Sequence, residues 1–339
     1  MRLLLSCMCL FWAIHGRVAG ETTRPEIFWP TPNDSFFKGS SIDESLQPTQ
    51  SGIVESGAFG CVREGGRRFH EGIDLKAILR NRKGEATDLI FAVMEGRIAY
   101  VNKVAGRSSY GRYVVIEHDR QDVAVYTLYS HLARIDNDIR TGVRVAAGQR
   151  IGIMGRSAGG YSIPKSRAHL HFELGLRKSD AFDDWHKWRK LAGKNHHGDL
   201  NGLNLIGMDP ADFFACVRRG EFTDFQTYIQ SLATAFTMRV ATRRVPDFVV
   251  RYPRLVTRNV SAEDIVGWEI QFTWYGLPKQ WTPLLQSEVA TNKEGTLSLI
   301  RYDKDAFAGQ CRDTLRFDGD RVRLGKAFEA DMQLIFGFR

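Results

Sequence analysis

The chain has 339 residues, 43% hydrophobic and 25% charged, which excludes a disordered or low-complexity protein and leaves room for one large domain or two modest ones. Its net charge of +8 would suit an acidic polymer as partner. No basic run interleaved with aromatics is present, so no nucleic-acid partner is expected.

Residues 1–20 read as a signal peptide. Arg2 gives a positive start, Leu3 to Ile14 is apolar, and Val18-Ala19-Gly20 supplies small residues before Glu21. The apolar run falls short of the roughly 20 residues a membrane-crossing helix needs, and no later stretch reaches that length. The expected destination is the periplasm or cell envelope, or the medium, with no transmembrane segment. Cys7 and Cys9 leave with the signal, so Cys61, Cys216 and Cys311 remain. Without a paired C-x-x-C a structural zinc knuckle is not expected. An oxidising compartment permits one disulfide. A Cys216–Cys311 bond would tie the end of the chain to its middle, while pairing through Cys61, or none, stays open.

Residues 21–47 read as an extended leader, since Pro25, Pro30 and Pro32 restrict the backbone. Phe28, Trp29, Phe36 and Phe37 suggest that it lies against the body. From residue 48 to about 175, short strands alternate with glycine turns, at 88–100 (broken at Glu95-Gly96), 113–118, 123–128, 143–145, 151–154 and 169–174. That pattern predicts a mainly β, antiparallel body. Residues 176–210 read as a polar insertion carrying Trp185 and Trp188. Pro210 opens a short helix, and 222–236 reads as another. Strands are then expected at 247–252, 268–275, 296–302, 314–317 and 332–338. The first domain is placed at 48–220 and a smaller helix-plus-strand, β-rich region of unknown role at 221–339, with the boundary near residues 220–240.

Three segments carry candidate chemistry. In Arg68-Phe69-His70-Glu71-Gly72-Ile73-Asp74, imidazole and carboxylate are both good zinc donors. The segment mimics a helical H-E-x-x-H motif without its last histidine, but Gly72 and the nearby Gly65-Gly66 disfavour a helix. In Ala168-His169-Leu170-His171-Phe172-Glu173-Leu174 a strand would set His169 and His171 on one face, with Leu170 and Phe172 turned to the interior. A shared metal or a hydrogen-bonded pair would explain two adjacent imidazoles. Tyr129-Ser130-His131-Leu132 ends a strand with a lone histidine. His118, in the same kind of position, reads as packing.

Taken together, the ordered set resembles the lysostaphin-type, or LytM-like, zinc endopeptidases of bacterial cell walls, metallopeptidase family 23. The resemblance rests on Phe59-Gly60, His70-x-Gly72-x-Asp74, Ala92-x-x-x-Gly96-x-Ile98 and Gly111-x-Tyr113-Val114-x-Ile116-x-His118. Tyr129-Ser130-His131-Leu132, Val145-x-x-Gly148-Gln149-x-Ile151-Gly152 and His169-Leu170-His171-Phe172-Glu173 complete it over residues 48–175. It implies the duplicated hybrid β motif of that family and one Zn2+ per chain, held by His70, Asp74 and His171. His131 and His169 correspond to the family's catalytic histidines. The implied function is hydrolysis of peptide bonds in peptidoglycan by a monomer. Two alternatives are a non-catalytic activator of other wall hydrolases and a secreted peptidase acting on other proteins. Two departures stand out: the segment 159–167 before the paired histidines is longer than usual, and the insertion at 176–210 is unfamiliar.

Overall fold

The computed structural model describes residues 25–289 and 293–338, so the expected signal peptide lies outside the described residues. The N-terminal part contains twelve strands: β1 (Gly60–Arg63), β2 (Arg68–His70), β3 (Ile73–Lys76), β4 (Leu89–Phe91), β5 (Gly96–Asn102), β6 (Tyr113–Glu117), β7 (Tyr126–Tyr129), β8 (Arg134–Ile135), β9 (Arg144–Val145), β10 (Arg150–Ile153), β11 (His169–Arg177) and β12 (Leu205–Met208). Every pairing among them is antiparallel. The main sheet runs β12-β11-β7-β6-β5-β9, and β4-β10-β8 form a second sheet.

The strand β11 organises the main sheet. Its long run accepts two short neighbours in succession: β3 pairs along His169–Phe172, and β12 pairs along Leu174–Arg177. Alternation along it is strict. Leu170, Phe172, Leu174 and Leu176 join the main apolar core, so the odd-numbered residues emerge on the opposite face. On β6 and β7, Tyr113, Val115, Tyr126 and Leu128 form a second apolar cluster with Leu200 and Leu205. Those two leucines come from the end of the 176–210 segment, which therefore packs beside the face carrying the histidines. Trp185 and Trp188 lie in or at the end of a short helix, α1 (Phe182–Trp188).

The leader lies against the body. Trp29 and Phe36 are buried, and the Trp29 ring sits 4.7 Å from that of Phe214 in α2 (Pro210–Arg218). Asp209 caps α2 and Pro210 opens it, as that pair of residues would suggest. The helix expected over 222–236 is shorter, α3 (Phe225–Ser231), capped by Asp224; Phe236 already opens the next strand.

In the C-terminal region four strands, β13 (Phe236–Ala241), β14 (Gly267–Phe272), β15 (Pro278–Leu284) and β16 (Thr296–Tyr302), form an antiparallel sheet in the order β15-β14-β13-β16. A hairpin of β17 (Leu315–Asp318) and β18 (Arg321–Leu324) follows. Two expected strands are helices instead. Residues 247–252 contain α4 (Asp247–Arg251), entered from Pro246, whose fixed φ of -66° suits a helix start; the β-branched pair Val249-Val250 favours a strand only when weighed by itself. Residues 332–336 form the end of α5 (Lys326–Phe336), and Gly337 caps it. Its buried residues Phe328, Met332 and Ile335 recur at helical spacing, a period invisible in a window as short as seven residues.

A disulfide joins Cys61 and Cys311 across 250 residues, with Cα atoms 5.6 Å apart. The expectation of a Cys216–Cys311 bond is therefore corrected. The loop at Cys311 folds back onto β1, where its N–H meets the Cys61 sulfur, whereas Cys216 lies in α2 against the main core. Among the described residues, no helix is long and apolar enough to cross a membrane.

Candidate metal centre

The register of the main sheet assembles the site. On β11, His171 lies directly opposite Asp74 of β3, and His70 ends β2 one tight turn earlier. Gly72 makes that turn possible. A Cβ there would stand 2.1 Å from the Phe172 carbonyl oxygen on β11, so only glycine lets the backbone approach so closely. His70, Asp74 and His171 are all buried, and one donor atom from each lies within 4.8 Å of the others. His70 Nε2 is 2.9 Å from His171 Nδ1 and 3.2 Å from Asp74 Oδ1, and His171 Nδ1 is 3.0 Å from the same oxygen. Two imidazoles and a carboxylate around one point are a donor set that fits a divalent transition metal.

Hydrogen bonds behind these side chains fix which atoms face inward. His70 Nδ1 donates to the Ala58 carbonyl at 2.6 Å, which leaves Nε2 as the lone-pair donor toward the centre. His171 is turned the other way: Nε2 donates to Glu173 Oε1 at 2.9 Å, so Nδ1 faces Asp74. Glu173 also accepts from the hydroxyls of Tyr110 and Tyr126, at 2.5 and 2.9 Å. Arg63 Nη2 donates to Asp74 Oδ2 at 2.5 Å.

His131 and His169 lie beside this group, with ring centroids 4.8 Å apart. His169 donates from Nδ1 to the Arg167 carbonyl at 2.7 Å, and its Nε2 is 3.6 Å from Asp74 Oδ2. His131 sits in the left-handed backbone region at φ +59°, a conformation uncommon outside glycine that recurs at functional sites. Its N–H donates to the Tyr110 carbonyl at 2.9 Å, and its Nδ1 to the Ser157 carbonyl at 2.8 Å. All four histidines are buried.

Electrostatics separates them. Burial lowers His70 and His169, and it drives His131 well below the usual imidazole range, with His169 and His171 adding to the effect. Burial also works against a proton on His171, but the Asp74 and Glu173 carboxylates outweigh it and raise this group to about 9. Burial opposes ionisation of Asp74, yet the surrounding histidines hold its carboxyl well below the ordinary range.

The site opens into a groove of ≈ 940 Å³. Its walls include Tyr161 from the long 159–167 segment and Leu203 from the insertion, so both departures noted in the sequence border it. All five expected residues are brought together. His118 is elsewhere, buried, with Nδ1 2.8 Å from the Glu95 carbonyl and Nε2 2.8 Å from Thr127 Oγ1. Glu173, Tyr110, Tyr126 and Arg63 join the site without having been expected there as functional residues. Of these Glu173 carries a signal in the sequence, because it follows His171 by two on the same strand face.

The antiparallel sheet thus carries a buried His–Asp–His group that could hold a metal, with two further histidines beside it. Residues 68–183 match the family described as Peptidase family M23. Among solved structures, the chain is similar to a zinc-containing peptidase from Vibrio cholerae, with 24% identity over 38% of this chain and 35% of that one and a TM-score of 0.27. It is similar also to the catalytic domain of the antimicrobial peptidase lysostaphin from Staphylococcus simulans, with 20% identity, 50% and 89% coverage and a TM-score of 0.29. A third is the catalytic domain of the prophage-encoded M23 protein EnpA from Enterococcus faecalis, with 25% identity, 38% and 76% coverage and a TM-score of 0.25. The chain thus spans about a third of the Vibrio protein's length. Among curated proteins, none matches.

Proposed function

We propose that the chain is an exported zinc-dependent endopeptidase that cuts peptide bonds in peptidoglycan. The observation that carries this reading is the convergence of His70, Asp74 and His171, with donor atoms within 4.8 Å of one another, at the floor of an open groove. Three protein ligands are the number found at catalytic rather than structural zinc sites, where the fourth position is left to water or substrate. Zinc held by these residues would supply Lewis acidity, lowering the pKa of a water to about 7 and polarising a peptide carbonyl.

The remaining work falls to the chain's own groups. His131 and His169 each commit Nδ1–H to a backbone carbonyl, so Nε2 is the atom of each ring available to exchange a proton. Burial favours the neutral ring in both, which leaves each Nε2 lone pair free while weakening it as a base. In this assignment the pair orients the attacking water, accepts its proton at Nε2 and returns a proton to the departing amine. Arg63 and the Glu173 cluster hold the ligands in place. Export is supported by the order of charge, apolar run and small residues at 1–20. The Cys61–Cys311 bond adds support, since such bonds belong to oxidising compartments.

Purified peptidoglycan incubated with the zinc-loaded protein should release peptide fragments whose new termini, read by mass spectrometry, lie at one kind of bond. Intact peptidoglycan after incubation with fully loaded protein would contradict the reading.

A further inference from the structure

The groove beside the metal centre is electrostatically one-sided. Arg107, Arg167 and Lys194 line it, and no hydrogen bond or ion pair engages their side chains among the described residues. Elsewhere on the surface, arginines are commonly matched with acids. Arg144 is held by Asp119 and Glu95, Arg150 by Asp136 at 2.6 Å, and Arg156 by Glu85 at 2.9 Å. Unpaired cations occur elsewhere too, Arg140 and Arg321 among them; what sets Arg107, Arg167 and Lys194 apart is that all three line one groove beside the metal centre. The acids in the lining are Glu71 and Asp74, and Asp74 is already engaged by Arg63 and the histidines.

Their placement also matters. Arg167 stands two residues before His169 and accepts that ring's Nδ1 proton at its carbonyl, so its side chain starts at the edge of the reacting centre. The Arg107 carbonyl lies 3.2 Å from His197 Nε2, which ties the Arg107 turn to the segment that supplies Lys194. Part of the cationic lining therefore depends on the 176–210 insertion. Unpaired cations in a cleft with low-dielectric walls focus their field on whatever enters it.

We propose that this groove selects anionic peptides, with free carboxylates flanking the bond to be cut, over neutral peptides of the same length and shape. The proposal rests on reading the groove as a peptidase site. It gives the insertion a task, which is to carry positive charge to the substrate rather than to build the metal centre.

The test uses the full mature chain and two fluorescein-labelled peptides, Ala-Glu-Gly-Glu-Ala and its carboxamide counterpart Ala-Gln-Gly-Gln-Ala, with binding read by fluorescence anisotropy. The acidic peptide should bind about tenfold more tightly, several exposed pairs contributing together. That ratio should shrink severalfold in about 0.5 M salt, where the screening length falls to a few ångströms. It should also collapse in the Arg107→Gln, Arg167→Gln, Lys194→Gln triple variant. Equal binding of the two peptides by the wild-type protein would overturn the proposal, as would a preference that survives both high salt and the triple substitution. Should the triple variant lose its fold or its zinc, the single Lys194→Gln variant and the salt titration decide in its place. Because binding is read without cleavage, a protein that prefers the acidic peptide yet releases nothing from peptidoglycan would refute the peptidase reading alone.

Discussion

His171 and Glu173 stand two residues apart on one face of β11, and the His171 Nε2–H donates to Glu173 Oε1 at 2.9 Å. That bond decides which nitrogen of His171 faces Asp74. The carboxylate is in turn held by Tyr110 and Tyr126, so the tautomer of one proposed ligand is set by side chains from the chain segments at 110 and 126.

Replacing Glu173 with alanine should therefore weaken zinc binding by about 10–100-fold while leaving all three ligands in place. Tyr126→Phe removes one donor and keeps the carboxylate, so its effect should be smaller. Competition against a chelator of known affinity would give both values. Unchanged affinity in the alanine variant would show that the ring is oriented by other contacts.

Metal binding and turnover should separate among the histidines. His171→Ala and Asp74→Ala each remove a proposed ligand, and both should lose zinc and activity together. His169→Ala and His131→Ala should retain close to one zinc per chain and lose about 10²–10⁴-fold in hydrolysis. Atomic emission for metal, run beside turnover of wall fragments, distinguishes the two classes. Loss of zinc from His169→Ala with retention in His171→Ala would reverse the assignment.

Gly72→Ala places a methyl group 2.1 Å from the Phe172 carbonyl oxygen, a backbone atom of the central strand that has little freedom to move. Destabilisation of about 1–3 kcal/mol is expected. Because the residue lies between His70 and Asp74, zinc content should fall as well. Urea unfolding and metal analysis of the same preparation would check both.

Much of this centre is legible in local sequence patterns. Period-two alternation puts His169 and His171 on one face, and glycines argue against a helix at His70. What brings Asp74 opposite His171 is a strand register between positions nearly a hundred residues apart, and no local pattern encodes that. Arg63 is illegible for a related reason: it faces the site through a register irregularity between β1 and β2, where Cys61 pairs with Phe69 and Arg63 with Arg68. The helices α4 and α5 resemble strands because β-branched and aromatic residues dominate windows too short to show a helical period. The disulfide partner of Cys311 depends on where a distant loop returns, which spacing alone does not supply.

His118 makes stability depend on pH. Burial pushes this imidazole down to about 4, whereas an exposed histidine titrates near 6.5. Between those values the unfolded chain binds more protons than the folded one, so stability rises with pH across the interval. His118 therefore contributes in full above 6.5, and its contribution is lost progressively as pH falls toward 4. The span corresponds to about 3 kcal/mol. Urea unfolding of the wild type and His118→Gln at pH 7 and pH 4 should show the difference between them shrinking by an amount of that order at the lower pH.

Cys61→Ser opens a loop of 250 residues. Chain entropy assigns such a closure about 5–6 kcal/mol as an upper figure, and the variant should unfold at lower urea. Its β1–β2 hairpin should also exchange amide hydrogens faster than in the oxidised protein, since the bond anchors that hairpin to the C-terminal region. Equal protection of the hairpin with and without the bond would show that apolar packing alone holds it.

The position of Cys311 has a consequence for how the protein is made. Synthesis runs from the N-terminus, so the hairpin bearing His70 emerges about 250 residues ahead of the cysteine that secures it. Every residue of the proposed centre, through His171 and Glu173, is already available during that interval. A chain that stops short of residue 311 holds the complete set of chemical groups without the cross-link that fastens the first of them. The bond can close only after the sheet β13–β16 has been synthesised, so it separates a chain that carries that sheet from a shorter one with the same chemical groups.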